Sequence, residues 1–185
     1  MKDGKMTDGE LVRRSLNGDM ESYRTLMNRY RGGAMAVALN MLMNYQDAED
    51  ACQDAFLKTF QNLARFDSRR SFKNWFYALV SNRCLDQIRK KKRFFNFLGR
   101  LKREEMAAAG GPPDQPSSIG LLDLKRLRRL SPRERMALYL WAQEGCSGSE
   151  IAEILGCSEK TAHVYLFKAR TKLKALLREE KNGSL

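Results

Sequence analysis

The amino-acid sequence predicts an all-α protein made of two small helical domains joined by a flexible linker. Three observations predict it. No sustained period-two alternation of apolar residues occurs, and no Asn-Gly pair stands between β-branched runs, so strand signals are nearly absent. Helix-start signals recur, with Thr7-x-x-Glu10 and Ser147-x-x-Glu150 both reading as capping boxes. Between them, residues 99 to 120 change composition to a stretch containing G-G-P-P-D-Q-P-S-S, which is linker chemistry. The expected boundaries are 7–98 for the first domain, 99–120 for the linker and 121–179 for the second domain. A chain of 185 residues has room for two such units, each just large enough to bury a core.

In order along the chain, Thr7 caps a short helix whose apolar face is Leu11, Val12 and Leu16, and Asn17-Gly18 ends it. Asp19 caps the next, with Tyr23, Leu26, Met27 and Tyr30 at helical spacing. Gly32-Gly33 reads as a break or bend before an apolar helix from Ala34 to Asn44. Asp47 reads as the cap of a further helix, with Ala48, Ala51, Cys52, Ala55, Phe56, Thr59, Phe60 and Leu63 inward. Phe66 to Asn74 is polar and basic and reads as a loop. A helix from Trp75 to about Lys92 follows, ending in R-K-K-K-R at 89–93. Leu121 to Leu130 and Pro132 to Gln143 begin the second unit.

The most telling stretch is Ser147 to Lys172. A helix should start near Gly148, Gly156 can take the positive φ that ends it, and Ser158 suits the N-cap of a second helix. Ala162, Leu166, Ala169, Leu173 and Leu176 give that second helix a buried stripe. This is a helix-turn-helix, whose second helix typically lies in the DNA major groove. The residues expected on its DNA side are Ser158, Glu159, Lys160, Thr161, His163, Val164, Phe167, Lys168 and Arg170. The same pattern also fits a plain αα-hairpin with a solvated charged face.

Charge sharpens the functional class. The formal net charge is +12, and residues 65–130 hold 17 basic against 6 acidic side chains, +11 net. A concentrated basic block points to a polyanion. Within it, residues 66–93 interleave Phe66, Phe72, Trp75, Phe76 and Tyr77 with Arg69, Arg70, Lys73, Arg83 and Arg89, the combination that stacks unpaired bases while tracking phosphates. The exposed face of the helix after Asp47 is instead acidic, with Glu49, Asp50, Gln53, Asp54 and Leu57. That face reads either as favourable charge near a helix N-terminus or as a docking surface for a basic protein.

Other classes find little support. The chain has one His, no H-E-x-x-H, no phosphate-binding Gly loop and no G-x-S-x-G, so no catalytic residues, cofactor or small-molecule substrate are expected. Cys52, Cys84, Cys146 and Cys157 form no C-x-x-C pair, and no metal site is expected. The N-terminus lacks an apolar signal region, and the longest apolar run, Ala34 to Met43, is too short to span a bilayer. A cytoplasmic protein without membrane insertion is expected.

Three motifs in a fixed order resemble a known family. D-A-E-D-A-C-Q-D-A-F-L-K-T-F at 47–60 is similar to the polymerase-binding helix of extracytoplasmic-function sigma factors, the smallest members of the sigma-70 family. S-F-K-N-W-F-Y-A-L-V-S-N-R-C-L-D-Q-I-R at 71–89 resembles their promoter-melting segment. L-S-P-R-E-R-M-A-L-Y-L at 130–140, S-E-I-A-E-I-L-G-C-S-E-K-T-A at 149–162 and L-F-K-A-R-T-K-L at 166–173 resemble their C-terminal domain. The resemblance implies an alternative sigma factor, responsive to a stress or signal, that is not an enzyme. It implies binding to core RNA polymerase, at the clamp through Asp50, Gln53, Asp54, Leu57 and Phe60, and also at the flap. It implies capture of the melted −10 element by Asp67, Ser68, Arg69, Ser71, Lys73, Asn74, Trp75, Asn82, Arg83 and Arg89. The second helix of the helix-turn-helix would read the −35 element as duplex, and an anti-sigma factor would be the regulatory partner. This chain departs from the family by placing His163 and Tyr165 where relatives often carry Lys and Arg, which bears on −35 preference. The alternative reading is a free-standing regulator of the LuxR-like kind, which has no reason to carry the aromatic-basic segment.

Overall fold

The structure, a computed structural model, describes residues 6–105 and 127–182, and no strand occurs among them. Helices α1 (Asp8–Leu16), α2 (Met20–Leu42), α3 (Tyr45–Asn62) and α4 (Phe72–Glu105) form the first unit, with a 3₁₀ turn at Leu63–Arg65. Helices α5 (Pro132–Ala142), α6 (Gly148–Leu155) and α7 (Glu159–Asn182) belong to the second.

Local chemistry sets most of these ends. Thr7 and Glu10 close a reciprocal capping box at α1, as do Ser147 and Glu150 at α6. Asp19 accepts from the Glu21 and Ser22 amides, both at 3.1 Å, and starts α2. Gly156 ends α6 at φ 60°, a left-handed conformation that glycine adopts without Cβ strain. These four match the sequence expectations. A third capping box, Ser131 with Glu134, starts α5, and Pro132 takes its first turn, where the missing N–H costs nothing.

Four expectations are corrected. The Gly32-Gly33 pair neither breaks nor bends the chain into two helices, because α2 runs from Met20 to Leu42. Gly33 is there for close approach: a Cβ would stand 1.9 Å from the Tyr77 hydroxyl oxygen on α4. The cap of α3 is Asn44, whose side chain accepts from the Asp47 amide at 2.9 Å, while the Asp47 carboxylate pairs with Lys91. Helix α4 starts at Phe72, so the loop closes at Ser71 and Asn74 lies in the first turn. It also continues past Lys92 to Glu105, through the start of the expected linker. Residues 106–120 of that linker, and 121–126 of the second unit, lie outside the described residues.

The core of the first unit is aromatic where the helices cross. Phe76 is fully buried, stacked 5.4 Å from Phe56 and 6.0 Å from Phe72, and Tyr30 packs against Phe72, Phe76 and Tyr77. In the second unit Met136, Leu140, Ile151, Ile154 and Leu155 are buried with Ala162. Lys172 of α7 reaches back to the Glu134 carboxylate of α5 at 2.7 and 3.0 Å. Burial alone would favour protonation of Glu134; the Lys172 and Ser131 hydrogen bonds outweigh it and hold the acid below its ordinary range.

The two units are not separate. Helix α5 packs on α2 and α6 packs on α4, and one continuous cluster of buried side chains runs through all of them. Arg135 of α5 is one polar tie between them. Its guanidinium donates to the last-turn carbonyls of Asn40 and Met41 on α2 and to the carbonyls of Leu127 and Leu130. No helix among the described residues is long and apolar enough to cross a membrane.

Candidate nucleic-acid interface

The second helix of the helix-turn-helix, α7, presents one open face. Ala162 and Ala169 are fully buried and Leu166 is half-buried, which turns Ser158, Glu159, Lys160, His163, Val164, Phe167, Lys168 and Arg170 outward. Phe167 is 71% exposed, so it is not a core residue of this unit. Ser158 and Thr161 are occupied with the helix start: the Thr161 amide donates to Ser158 Oγ at 3.2 Å, and the two hydroxyls share a 2.8 Å bond. Arg170 lies over the Trp141 ring at 5.1 Å, a cation–π contact. His163 sits 3.7 Å from Glu159 and close against Gly148, where a Cβ would meet its Nε2 at 2.6 Å. A groove of Trp141, Gly148, His163, Phe167 and Arg170 results. Tyr165 is not on this face. It is half-buried and accepts a 3.2 Å hydrogen bond from Arg133.

The aromatic-basic segment splits in two. Trp75 is half-buried against Phe66 and Phe72, at 5.1 and 5.6 Å between ring centres. Phe72, Phe76 and Tyr77 are core. Ser68, Arg69, Ser71, Asn82 and Arg89 are exposed. Asp67 and Arg69 pair at 2.9 Å, and the Arg69 hydrogen bonds hold the Asp67 carboxyl below its usual range. Arg89 pairs with Asp86 one turn earlier at 3.1 Å. Lys73 and Asn74 point instead at the second unit. Asn74 is only 3% exposed, and its Nδ2 donates to Glu153 of α6 at 2.8 Å. Arg70 donates to the same carboxylate, its Nε at 3.0 Å from Oε1. Lys73 approaches Glu144 Oε2 at 3.9 Å.

On the outer face of α3, Asp50, Gln53, Leu57 and Phe60 are exposed together. Phe60 is 51% exposed, off the inward stripe expected of it, and lies edge-on to Tyr23. Asp54 leaves this group in part, because it accepts two hydrogen bonds from Arg83 of α4, one at 2.6 Å. One residue expected to meet protein and one expected to meet DNA therefore hold each other. A further exposed group, Phe94, Phe95 and Phe97, follows the basic run on α4. Sequence reasoning misses these aromatics, although three phenylalanines after five cations are themselves a signal.

Two family models match the chain in this order, "Sigma-70 region 2" over residues 26–94 and "Sigma-70, region 4" over residues 124–173. The first covers the aromatic core, the acidic face and the basic loop; the second covers the helix-turn-helix. This chain is an extracytoplasmic-function sigma factor of the sigma-70 family. The sigma factor is similar to "ECF RNA polymerase sigma factor SigW" of Bacillus subtilis, 26% identical over 91% of this chain and 95% of SigW. It is similar to "RNA polymerase sigma factor NccH" of Alcaligenes xylosoxydans xylosoxydans, 29% identical over 92% of this chain and 94% of NccH. Among solved structures it resembles the sigma factor RpoE in complex with the anti-sigma factor NepR from Bartonella quintana. There the TM-score is 0.66 at 25% identity, over 85% of this chain and 98% of that one. As an alternative sigma factor it directs transcription initiation and is not an enzyme.

Proposed function

We propose a two-handed promoter reader. In this reading α7 lies on the −35 duplex while the loop at 67–71 and the exposed side of α4 hold the melted −10 strand. Trp75 offers a stacking surface, Asn74 an amide for a base edge, and Arg69, Lys73, Asn82, Arg83 and Arg89 the phosphate and sugar contacts. Ser68 and Ser71 supply hydroxyls beside them, and Asp67 orients Arg69. The observation that supports this is the presence on one chain of two exposed surfaces of different shape and chemistry. One is the outward face of a single long helix, a shape that fits a duplex groove; the other is a basic loop beside a half-buried tryptophan, suited to single strand.

The protein-facing surface is then Asp50, Gln53, Leu57 and Phe60 of α3, acidic with two exposed apolar anchors. Core RNA polymerase binds there at the clamp, Asp54 joins when Arg83 turns to DNA, and the second unit meets the flap. Residues 7–98 and 121–179 act as the two domains and 99–120 as the connection. By likeness to RpoE, whose solved complex contains NepR, an anti-sigma factor is the proposed regulatory partner, and the site of action is the cytoplasm.

Lys168 provides the sharpest test of the duplex hand. It is exposed on the open face of α7, and a lone ammonium there suits a phosphate as a point charge. Lys168→Ala is expected to weaken binding of the polymerase holoenzyme to every −35 sequence alike and to lower the salt slope of binding by about one. Fluorescence anisotropy of promoter duplexes across a salt series reads both. An unchanged slope removes Lys168 from the interface.

A further inference from the structure

We propose that the free sigma factor closes its own single-strand site, with Glu153 of the helix-turn-helix standing where the promoter strand binds. The inference rests on the reading of the loop as the −10 contact.

Two donors at the start of α4 are taken by one carboxylate of the second unit, and a third, Lys73, is held beside Glu144. Glu153 Oε1 accepts from the Arg70 guanidinium, and Glu153 Oε2 accepts from Asn74 Nδ2 at 2.8 Å. Glu144 stands 3.9 Å from Lys73 through its carboxylate, and its backbone carbonyl is 3.4 Å from the Lys73 ammonium. A carboxylate offers Arg70 two anionic oxygens, much as a phosphate does. Hydrogen bonds from Arg70 and Asn74 hold the Glu153 carboxyl below its ordinary range, so it is anionic at neutral pH. The site is therefore filled by an anion that the chain itself supplies.

Asn74 shows that the fit is incomplete. Its side chain is buried, its Nδ2 is satisfied, and its Oδ1 has no hydrogen-bond partner. A carboxylate can only accept, so Glu153 can never satisfy that oxygen. A base edge can do both, giving a hydrogen bond to the amide oxygen while accepting one from the amide nitrogen. The geometry thus favours exchange of Glu153 for a nucleotide. The exchange is also accessible, because the Arg70 and Glu153 side chains remain 52% and 30% exposed. Ion pairs of this exposure are weak and yield to salt or to a polyanion.

The consequence is quantitative. A protein whose competent form is a minor fraction binds its ligand more weakly by that fraction. Glu153→Gln, in the full chain without polymerase, is expected to bind a fluorescein-labelled mixed-sequence single-stranded DNA 12-mer about fivefold more tightly than the unmodified protein. Adding Arg70→Ala should abolish the gain. Hydrogen–deuterium exchange at α6 and at residues 66–75 reports opening independently. Glu144→Gln, which loosens the neighbouring Lys73 contact, serves as the second variant should Glu153→Gln unfold.

Opening without tighter oligonucleotide binding in either variant overturns the inference, and so does unchanged exchange together with unchanged affinity. Failure of the underlying reading looks different. In that case loop substitutions leave promoter melting by the holoenzyme intact, whatever Glu153 does.

Discussion

Arg135→Leu is expected to split the unfolding of this protein into two transitions. The arginine is 6% exposed and lies at the junction of α5 with the end of α2. The last carbonyls of any helix lack intrahelical partners and carry the negative end of its dipole, so a cation there meets both needs. Here the guanidinium reaches Asn40 and Met41 on α2, the latter at 2.8 Å, and Leu127 and Leu130 at 3.2 and 2.5 Å. Burial pushes its pKa down to about 10, so it remains charged at neutral pH. Leucine matches the apolar stem but leaves the Asn40, Met41 and Leu130 carbonyls without this donor, while the Leu127 carbonyl keeps the Leu130 amide at 3.1 Å. Leaving a buried carbonyl unsatisfied costs about 1–3 kcal/mol, and more than one is left so here. The chain carries two tryptophans, Trp75 in the first unit and Trp141 in the second. Urea unfolding followed in Trp75→Phe and Trp141→Phe backgrounds therefore reads each unit separately. The two curves are expected to coincide in the unmodified protein and to separate in the Arg135→Leu variant, the second unit losing structure first. Coincident curves with an unchanged midpoint in the variant would show that the units are joined by other contacts.

Two adjacent glycines are expected to respond with opposite signs. Mid-helix glycine costs about 0.5–1 kcal/mol relative to alanine. At Gly32 nothing lies within 4 Å of the position a Cβ would take, so Gly32→Ala should gain about that amount. At Gly33 the same methyl would stand 1.9 Å from Tyr77 Oη, 2.9 Å from Tyr77 Cζ and 3.4 Å from Glu144 Oε1. Tyr77 is 3% exposed, wedged against Tyr30 and Phe76, and cannot swing aside freely. Overpacking of this kind costs about 1–3 kcal/mol and exceeds the helix gain. Gly33→Ala should therefore lower the urea midpoint while Gly32→Ala raises it, and Tyr77→Phe, which removes the clashing oxygen, should recover part of the loss. Equal responses at the two positions would mean that Tyr77 moves at no cost.

These residues also mark where the sequence is legible. The capping boxes at Thr7 and Ser147 and the Gly156 turn depend on neighbours within four residues, and each forms as its spacing predicts. So does the open face of α7, because helical period alone separates Ala162 and Ala169 from Phe167 and Lys168. Gly33 misleads because its role is set by Tyr77, far along the chain. Asp47 misleads because Asn44, three residues earlier, makes the better cap and frees Asp47 for Lys91. No local pattern announces Glu153 as the partner of Arg70 and Asn74, or Asp54 as the partner of Arg83, since both pairs join separate helices. The packing of α5 on α2 is equally hidden, because a linker-like composition says how two units are connected and nothing about whether they touch.

The division of labour between the loop and the helix-turn-helix is the central claim, and paired permanganate and DNase I footprinting of the holoenzyme on a cognate promoter tests it most directly, the first reading melting and the second duplex protection. Trp75→Ala together with Lys73→Ala should abolish the reactivity of unpaired thymines in the −10 element while protection of the −35 duplex persists. Melting that survives this double substitution, or −35 protection lost along with it, would contradict the account.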